Sequence, residues 1–291
     1  MENSIRRHGD SEGSSSTAFV ISGLLPHPPI VVPAVGGSRV DGCRATHDAC
    51  RELARRVVSR SPGRLILPSP HSPRRHTAFG LSSAARIAGD LRRFGAPDAG
   101  IDLPADPEMA KRIRREAARR GLQTWDLPAD EPLDHGACVP LWFLCEAGWR
   151  GPTTLVSLPV LRDAAVYERF GGVCARAAQE LDGRAAFVAS GDMSHRVLPG
   201  APAGFHHRAV EFDHELTELV RDGRLREIAT IDHELRELAA EDAADTSIMA
   251  CAAAEYRSDG HQVLSYEHPF GVGYLVAIFF DELAAPTTRD Q

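Results

Sequence analysis

No stretch of about 18 or more consecutive apolar residues occurs in the 291 residues, and the N-terminus lacks the apolar core of a secretion signal. A membrane-spanning helix and export are therefore not expected, and the chain is expected to stay in the cytoplasm. Cys-x-x-Cys pairs are missing as well. The six cysteines read as small buried hydrophobes in a reducing compartment, because Cys43/Cys50 and Cys138/Cys145 repeat at two helical turns and share helix faces instead of forming a tetrahedral cage. Nor is there an excess of positive charge: 33 basic against 40 acidic residues leave a formal charge of −7, without the basic footprint that a phosphate backbone requires, so no nucleic-acid partner is expected. The dense run Lys111-Arg112-Ile113-Arg114-Arg115 lies between Glu108 and Glu116 at helical spacing, the pattern of a solvated helix face. Internal repeats and Pro/Gly/Ser-rich linkers are absent between residues 18 and 283, which predicts one domain there, with a loose polar tail over 1–17 and a short C-terminal tail over 284–291.

With 43% hydrophobic and 25% charged residues, the composition is that of a folded globular body. Short apolar runs alternate with longer segments of helical period. The runs are Ala18 to Leu25, Arg64 to Leu67, Thr153 to Leu158, Ala185 to Ala189, Gln262 to Tyr266 and Gly273 to Phe280. Helical segments are expected at 41–60, 106–120, 137–147, 162–182, 208–222 and 243–256, with Asp41 and Asp106 as N-caps and Pro107 at a first helical position. This alternation predicts an α/β fold, a single domain with a mixed, largely parallel central sheet and helices on both faces.

Thirteen histidines are present, and their placement carries more than their number. His27, in Leu24-Leu25-Pro26-His27-Pro28-Pro29, follows the first predicted strand. His71, in Ser69-Pro70-His71-Ser72-Pro73, follows the second, and His195, in Ser190-Gly191-Asp192-Met193-Ser194-His195, follows the run ending at Ala189. In an open α/β sheet, ligands bind beyond the carboxyl ends of the strands, where the loops converge. One loop histidine is ordinary; packing does not ask for one after each of three strands. The prolines beside His27 and His71 restrict the backbone and stiffen those loops.

Two imidazoles and one carboxylate on one face leave open positions on a divalent iron. Glu241, in Ala239-Ala240-Glu241-Asp242-Ala243-Ala244, lies in an apolar stretch before a predicted helix, where an unpaired charge is costly; Asp242 and Asp245 compete for the same role.

Five segments together resemble the class III extradiol ring-cleaving dioxygenases, the LigB-like catalytic subunit family, and particularly its single-domain branch related to Memo-like proteins. They are Gly23–Pro29, Ser69–Pro73, Asp134-His135-Gly136-Ala137, Ala189–His195 and Ser265–Tyr274, in family order across about residues 18 to 281. The resemblance implies that His27, His71 and Glu241 are metal ligands, His195 the acid/base, and His135 a group contacting the substrate or supporting the ligands. It implies Fe(II) as cofactor, with zinc as the alternative. The substrates would be a small catecholic or aminophenolic aromatic and O₂, and the fold is compatible with a homodimer. It also admits a Memo-like metal-binding protein without oxygen chemistry, or a zinc enzyme on the same fold. The chain departs from that branch in having Glu241-Asp242-Ala243 where Glu-Cys-Gly is usual, and Ser72 where glycine is more usual.

Overall fold

Side chains along a strand alternate between faces, and here both faces are apolar. In Ala185–Ser190, Phe187 and Ala189 join one hydrophobic cluster while Ala186 and Val188 join another on the opposite side. A strand apolar on both faces belongs inside a sheet covered by helices on each side. The computed structural model, which describes residues 17–181 and 184–283, has that arrangement; the two predicted tails, Thr17 apart, lie outside the described residues.

In chain order the elements are β1 (Phe19–Leu25), α1 (Pro33–Gly36), α2 (Arg44–Ser59), β2 (Arg64–Ser69), β3 (Phe79–Leu81), β4 (Arg86–Leu91), β5 (Ala96–Pro104), α3 (Pro107–Arg119), β6 (Thr124–Asp126) and α4 (His135–Glu146). They continue with β7 (Thr153–Ser157), α5 (Ala164–Gln179), β8 (Ala185–Ser190), α6 (Ala209–Arg221), α7 (His233–Ala239), α8 (Ala243–Ala253), β9 (Gln262–Glu267) and β10 (Tyr274–Asp281). Eight strands form one sheet in the order β6-β3-β7-β2-β8-β1-β10-β9. Its centre, β7-β2-β8-β1, is parallel. On either side β10 and β3 run antiparallel to their central neighbours. Helices α2 and α4 pack on one face, and α3, α5 and α8 on the other. The hairpin β4–β5 forms a separate two-stranded sheet against α4.

Every residue of α8 is buried, so it is a core helix lying under β8 and β1. Asp106 caps α3 as expected, its carboxylate accepting from Met109 N at 2.9 Å. Asp41 does not cap α2: it sits in a 3₁₀ stretch, Gly37–Cys43, and the α-helix starts only at Arg44. Strands β3 to β6 were not expected. Two of them are three residues long, and β5 carries Pro97 and Gly100, so none has the apolar run that marks a central strand.

Candidate metal centre

Because β2, β8 and β1 are parallel neighbours, the segments leaving their carboxyl ends emerge side by side. His27, His71 and the Gly191–His195 segment therefore meet at one edge of the sheet. His27 Nε2 and His71 Nε2 lie 3.0 Å apart. Asp242, the N-cap of α8, places Oδ2 3.6 Å from the first and 3.4 Å from the second. His135, the first residue of α4, stacks on His71 with ring centroids 4.2 Å apart. His27, His71 and His135 each offer a nitrogen within 4.8 Å of the others.

The rings are held from behind. The Ser190 hydroxyl donates to the Gly136 carbonyl, so its oxygen is left to accept from His27 Nδ1–H at 2.9 Å. That fixes the tautomer and leaves the His27 Nε2 lone pair facing the site. His27 N donates to Asp192 Oδ1 at 2.8 Å, and Asp192 N donates to Asp242 Oδ1 at 2.7 Å. Gly191 permits that last approach: a Cβ there would stand 2.4 Å from Ala243 Cα. On the other side, Asp134 accepts from the Ser69 and Ser72 hydroxyls, both at 2.6 Å, and from Ala137 N at 3.1 Å. Ser72 thus clamps the His71 loop to the start of α4, a contact that a glycine could not make.

Electrostatics follow from this crowding. Burial lowers the His27 imidazole to about 4 although the Asp242 charge opposes it, and burial with the neighbouring His71 lowers His135 to about 4. Both rings are neutral near pH 7, with lone pairs available. Burial also works to lower His71, but a hydrogen bond and the charge of Asp242 outweigh it and the net shift is upward. Burial would raise Asp242, yet His27 and His71 hold its carboxyl well below the usual range. Asp192 is pushed up to about 7 by burial and by Asp242.

Glu241 does not face the imidazoles. Ala240, in the left-handed region at φ 53° and ψ 43°, turns the chain at the end of α7. The Glu241 side chain consequently runs to the other side, where Oε1 accepts from Arg236 Nε at 2.8 Å and from Arg162 Nη2, and Oε2 accepts from Ala244 N at 2.8 Å. Asp242, and not the expected Glu241, is thus the acid that the structure places beside the two imidazoles. His195 is half-buried beside the cluster. Its Nδ1–H donates to the Ala240 carbonyl at 2.8 Å, leaving Nε2 free of that bond.

Residues 22–277 match the family described as the catalytic LigB subunit of aromatic ring-opening dioxygenase. The chain belongs to that family. It is similar to Protein CA_C1420 of Clostridium acetobutylicum, at 30% identity over 259 residues, covering 86% of this chain and 55% of the relative. It thus spans only about half the length of that protein. It is 22% identical over 226 residues to a 3,4-dihydroxyphenylacetate 2,3-dioxygenase of Escherichia coli, covering 73% of this chain and 81% of the relative. In fold it resembles an uncharacterized protein, JW3007, of Escherichia coli K12, with TM-score 0.59 and 15% identity, over 88% of this chain and 98% of that one.

LigB dioxygenases are metal-dependent, and the donor set fits a metal ion. Two atoms each about 2.1 Å from an ion, at angles of about 90–109°, lie about 3.0–3.4 Å apart. The three separations among His27 Nε2, His71 Nε2 and Asp242 Oδ2 run from 3.0 to 3.6 Å. Two imidazole nitrogens this close need a proton or a cation between them. Position after predicted strands had indicated His27, His71 and His195, and the family resemblance His135; neither had indicated Ser190 or Asp192, whose roles depend on hydrogen bonds across the chain.

Proposed function

We propose that the chain is a cytoplasmic Fe(II)-dependent extradiol dioxygenase that opens a catecholic or aminophenolic ring with O₂. His27, His71 and Asp242 hold the metal, and His195 is the acid/base. The supporting observation is the triangle of two neutral-capable imidazole nitrogens and one carboxylate oxygen at adjacent parallel strand ends, in a LigB-family chain. Bound there with open positions, Fe(II) would supply the means of bringing a singlet aromatic and triplet O₂ into reaction.

The protein's own groups do the rest. His195, oriented through Nδ1 by the Ala240 carbonyl, takes the substrate hydroxyl proton at Nε2 and returns a proton later in the reaction. His135, neutral and stacked on His71, presents its ring to a substrate oxygen. Phe94, on the 3₁₀ turn Arg92–Phe94 joining β4 to β5, is 42% exposed with its ring centroid 5.4 Å from His135, and offers an apolar wall for an aromatic substrate.

Anaerobic loading with Fe(II), followed by air and a panel of catechols and aminophenols, tests this. Ring-opened product with matching O₂ uptake is expected, and His195→Ala should lower kcat by about 10²–10⁴ while still binding iron. Iron bound in full with no O₂ uptake on any substrate would refute it. The third imidazole, His135, also makes a nitrogen-rich set suited to zinc; turnover restored by Zn(II) alone would select that alternative.

A further inference from the structure

We infer that Arg162 and Arg236, acting through Glu241 and Asp245, are positioning residues that set both the metal carboxylate and the acid/base imidazole from a single turn. This rests on the metal site proposed above. Arg162 follows β7, Arg236 lies on α7, Glu241 on the turn after it and Asp245 on α8, so the four side chains join four separate segments. Each arginine bridges both acids. Arg162 Nε donates to Asp245 Oδ2 at 2.9 Å and its Nη2 to Glu241, while Arg236 donates to Glu241 at 2.8 Å and to Asp245 at 2.5 Å. The side chains of Arg236, Glu241 and Asp245 are 5%, 0% and 4% exposed.

Ions buried to this degree give up hydration that their mutual attraction only partly restores, so such a cluster is a weak source of stability; holding one geometry is the better-attested use. The geometry held here is the segment 239–242. Its Ala239 carbonyl accepts from His195 N at 2.9 Å, its Ala240 carbonyl accepts from His195 Nδ1 at 2.8 Å, and its Asp242 exchanges backbone and side-chain bonds with Asp192. Arg162 Nη1 also donates to the Glu241 carbonyl at 3.1 Å, gripping the backbone directly. Arg162, Glu241, Asp242 and Asp245 line one small cavity with Pro70, the residue before His71. With Ala240 held in a backbone region that non-glycine residues seldom occupy, the turn needs an outside restraint, and the arginine pair supplies it on the side opposite the imidazoles.

Calorimetric titration of the metal-stripped full chain with Fe(II) under anaerobic conditions tests the assignment, alongside melting temperatures. Glu241→Gln and Arg236→Lys should weaken Fe(II) binding about 10–100-fold. Arg162→Lys, at the more exposed edge of the cluster, should act in the same direction with less risk to folding. Asp281→Asn, which breaks the Arg60–Asp281 pair elsewhere, should lower Tm and leave Fe(II) affinity unchanged. Wild-type affinity in Glu241→Gln, Arg236→Lys and Arg162→Lys would overturn the positioning role. So would loss of binding in Glu241→Gln as complete as in Asp242→Asn, since Glu241 would then be a ligand itself. A wild-type chain that takes up no Fe(II) would instead bring down the metal site, and the positioning role with it.

Discussion

Asp242 and Glu241 are adjacent in the chain and meet opposite surroundings. One carboxylate faces two imidazoles and is held in its charged form by them; the other lies between two guanidinium groups. The difference comes from a single backbone reversal at Ala240, whose carbonyl also orients His195. A residue of another kind is Phe94, which makes a large apolar face available to solvent beside His135. If it receives the substrate ring, Phe94→Ala should raise KM for an aromatic substrate about tenfold, equivalent to about 1.4 kcal/mol, with kcat changed less than about threefold and Fe(II) affinity unchanged. Steady-state kinetics on the best substrate of the panel would check this, and an unchanged KM would remove Phe94 from the substrate site.

At the scale of elements, the site depends on how closely the loop after β8 lies on the start of α8. A Cβ on Gly191 would fall 2.4 Å from Ala243 Cα, and backbone that close cannot yield without moving Asp242 from Asp192. Gly191→Ala should therefore lower Tm and Fe(II) affinity together. Gly171→Ala should also lower Tm, because its Cβ would meet Met249 O at 2.5 Å, but it presses on the later turns of α8 and should leave Fe(II) affinity within about threefold. Parallel losses of affinity in both variants would show that the whole helix, and not its first turn, sets the site.

The same scale explains what the sequence made legible. Continuous apolar runs identify β1, β2, β7, β8 and β10, and strand-end histidines locate three of the groups that converge. That Asp242 and not Glu241 faces the imidazoles depends on a left-handed alanine, which no composition or period announces. The β4–β5 hairpin that presents Phe94 mixes buried with exposed residues and carries Gly89, Pro97 and Gly100, so it lacks the continuous apolar run by which the central strands are read.

For the whole molecule, the buried titratable groups make the stability of the metal-free protein depend on pH in two opposing ways. His27 and His135 have folded pKa values near 4, against about 6.5 in an unfolded chain. As pH falls below about 6.5 the unfolded chain takes up protons that the folded one refuses, so this contribution to stability is complete above about 6.5 and lost by about 4. Asp213 behaves in the opposite sense. Burial pushes its carboxyl up to about 7, even though Ser194 N at 2.7 Å and the Tyr266 hydroxyl at 2.8 Å both donate to it. Its folded form binds a proton first, so its contribution is complete below about 3.9 and is lost as pH rises to about 7. Urea unfolding of chelator-treated protein between pH 4 and 7.5 separates the two. With Asp192, also raised to about 7, acting in the same sense as Asp213, wild type should change little on acidification from 6.5, His135→Gln should gain stability, and Asp213→Asn should weaken, because its compensating proton uptake is gone. An Asp213→Asn curve parallel to wild type would mean that the two donors keep Asp213 ionised throughout, and that the turn carrying His195 rests on a buried carboxylate charge.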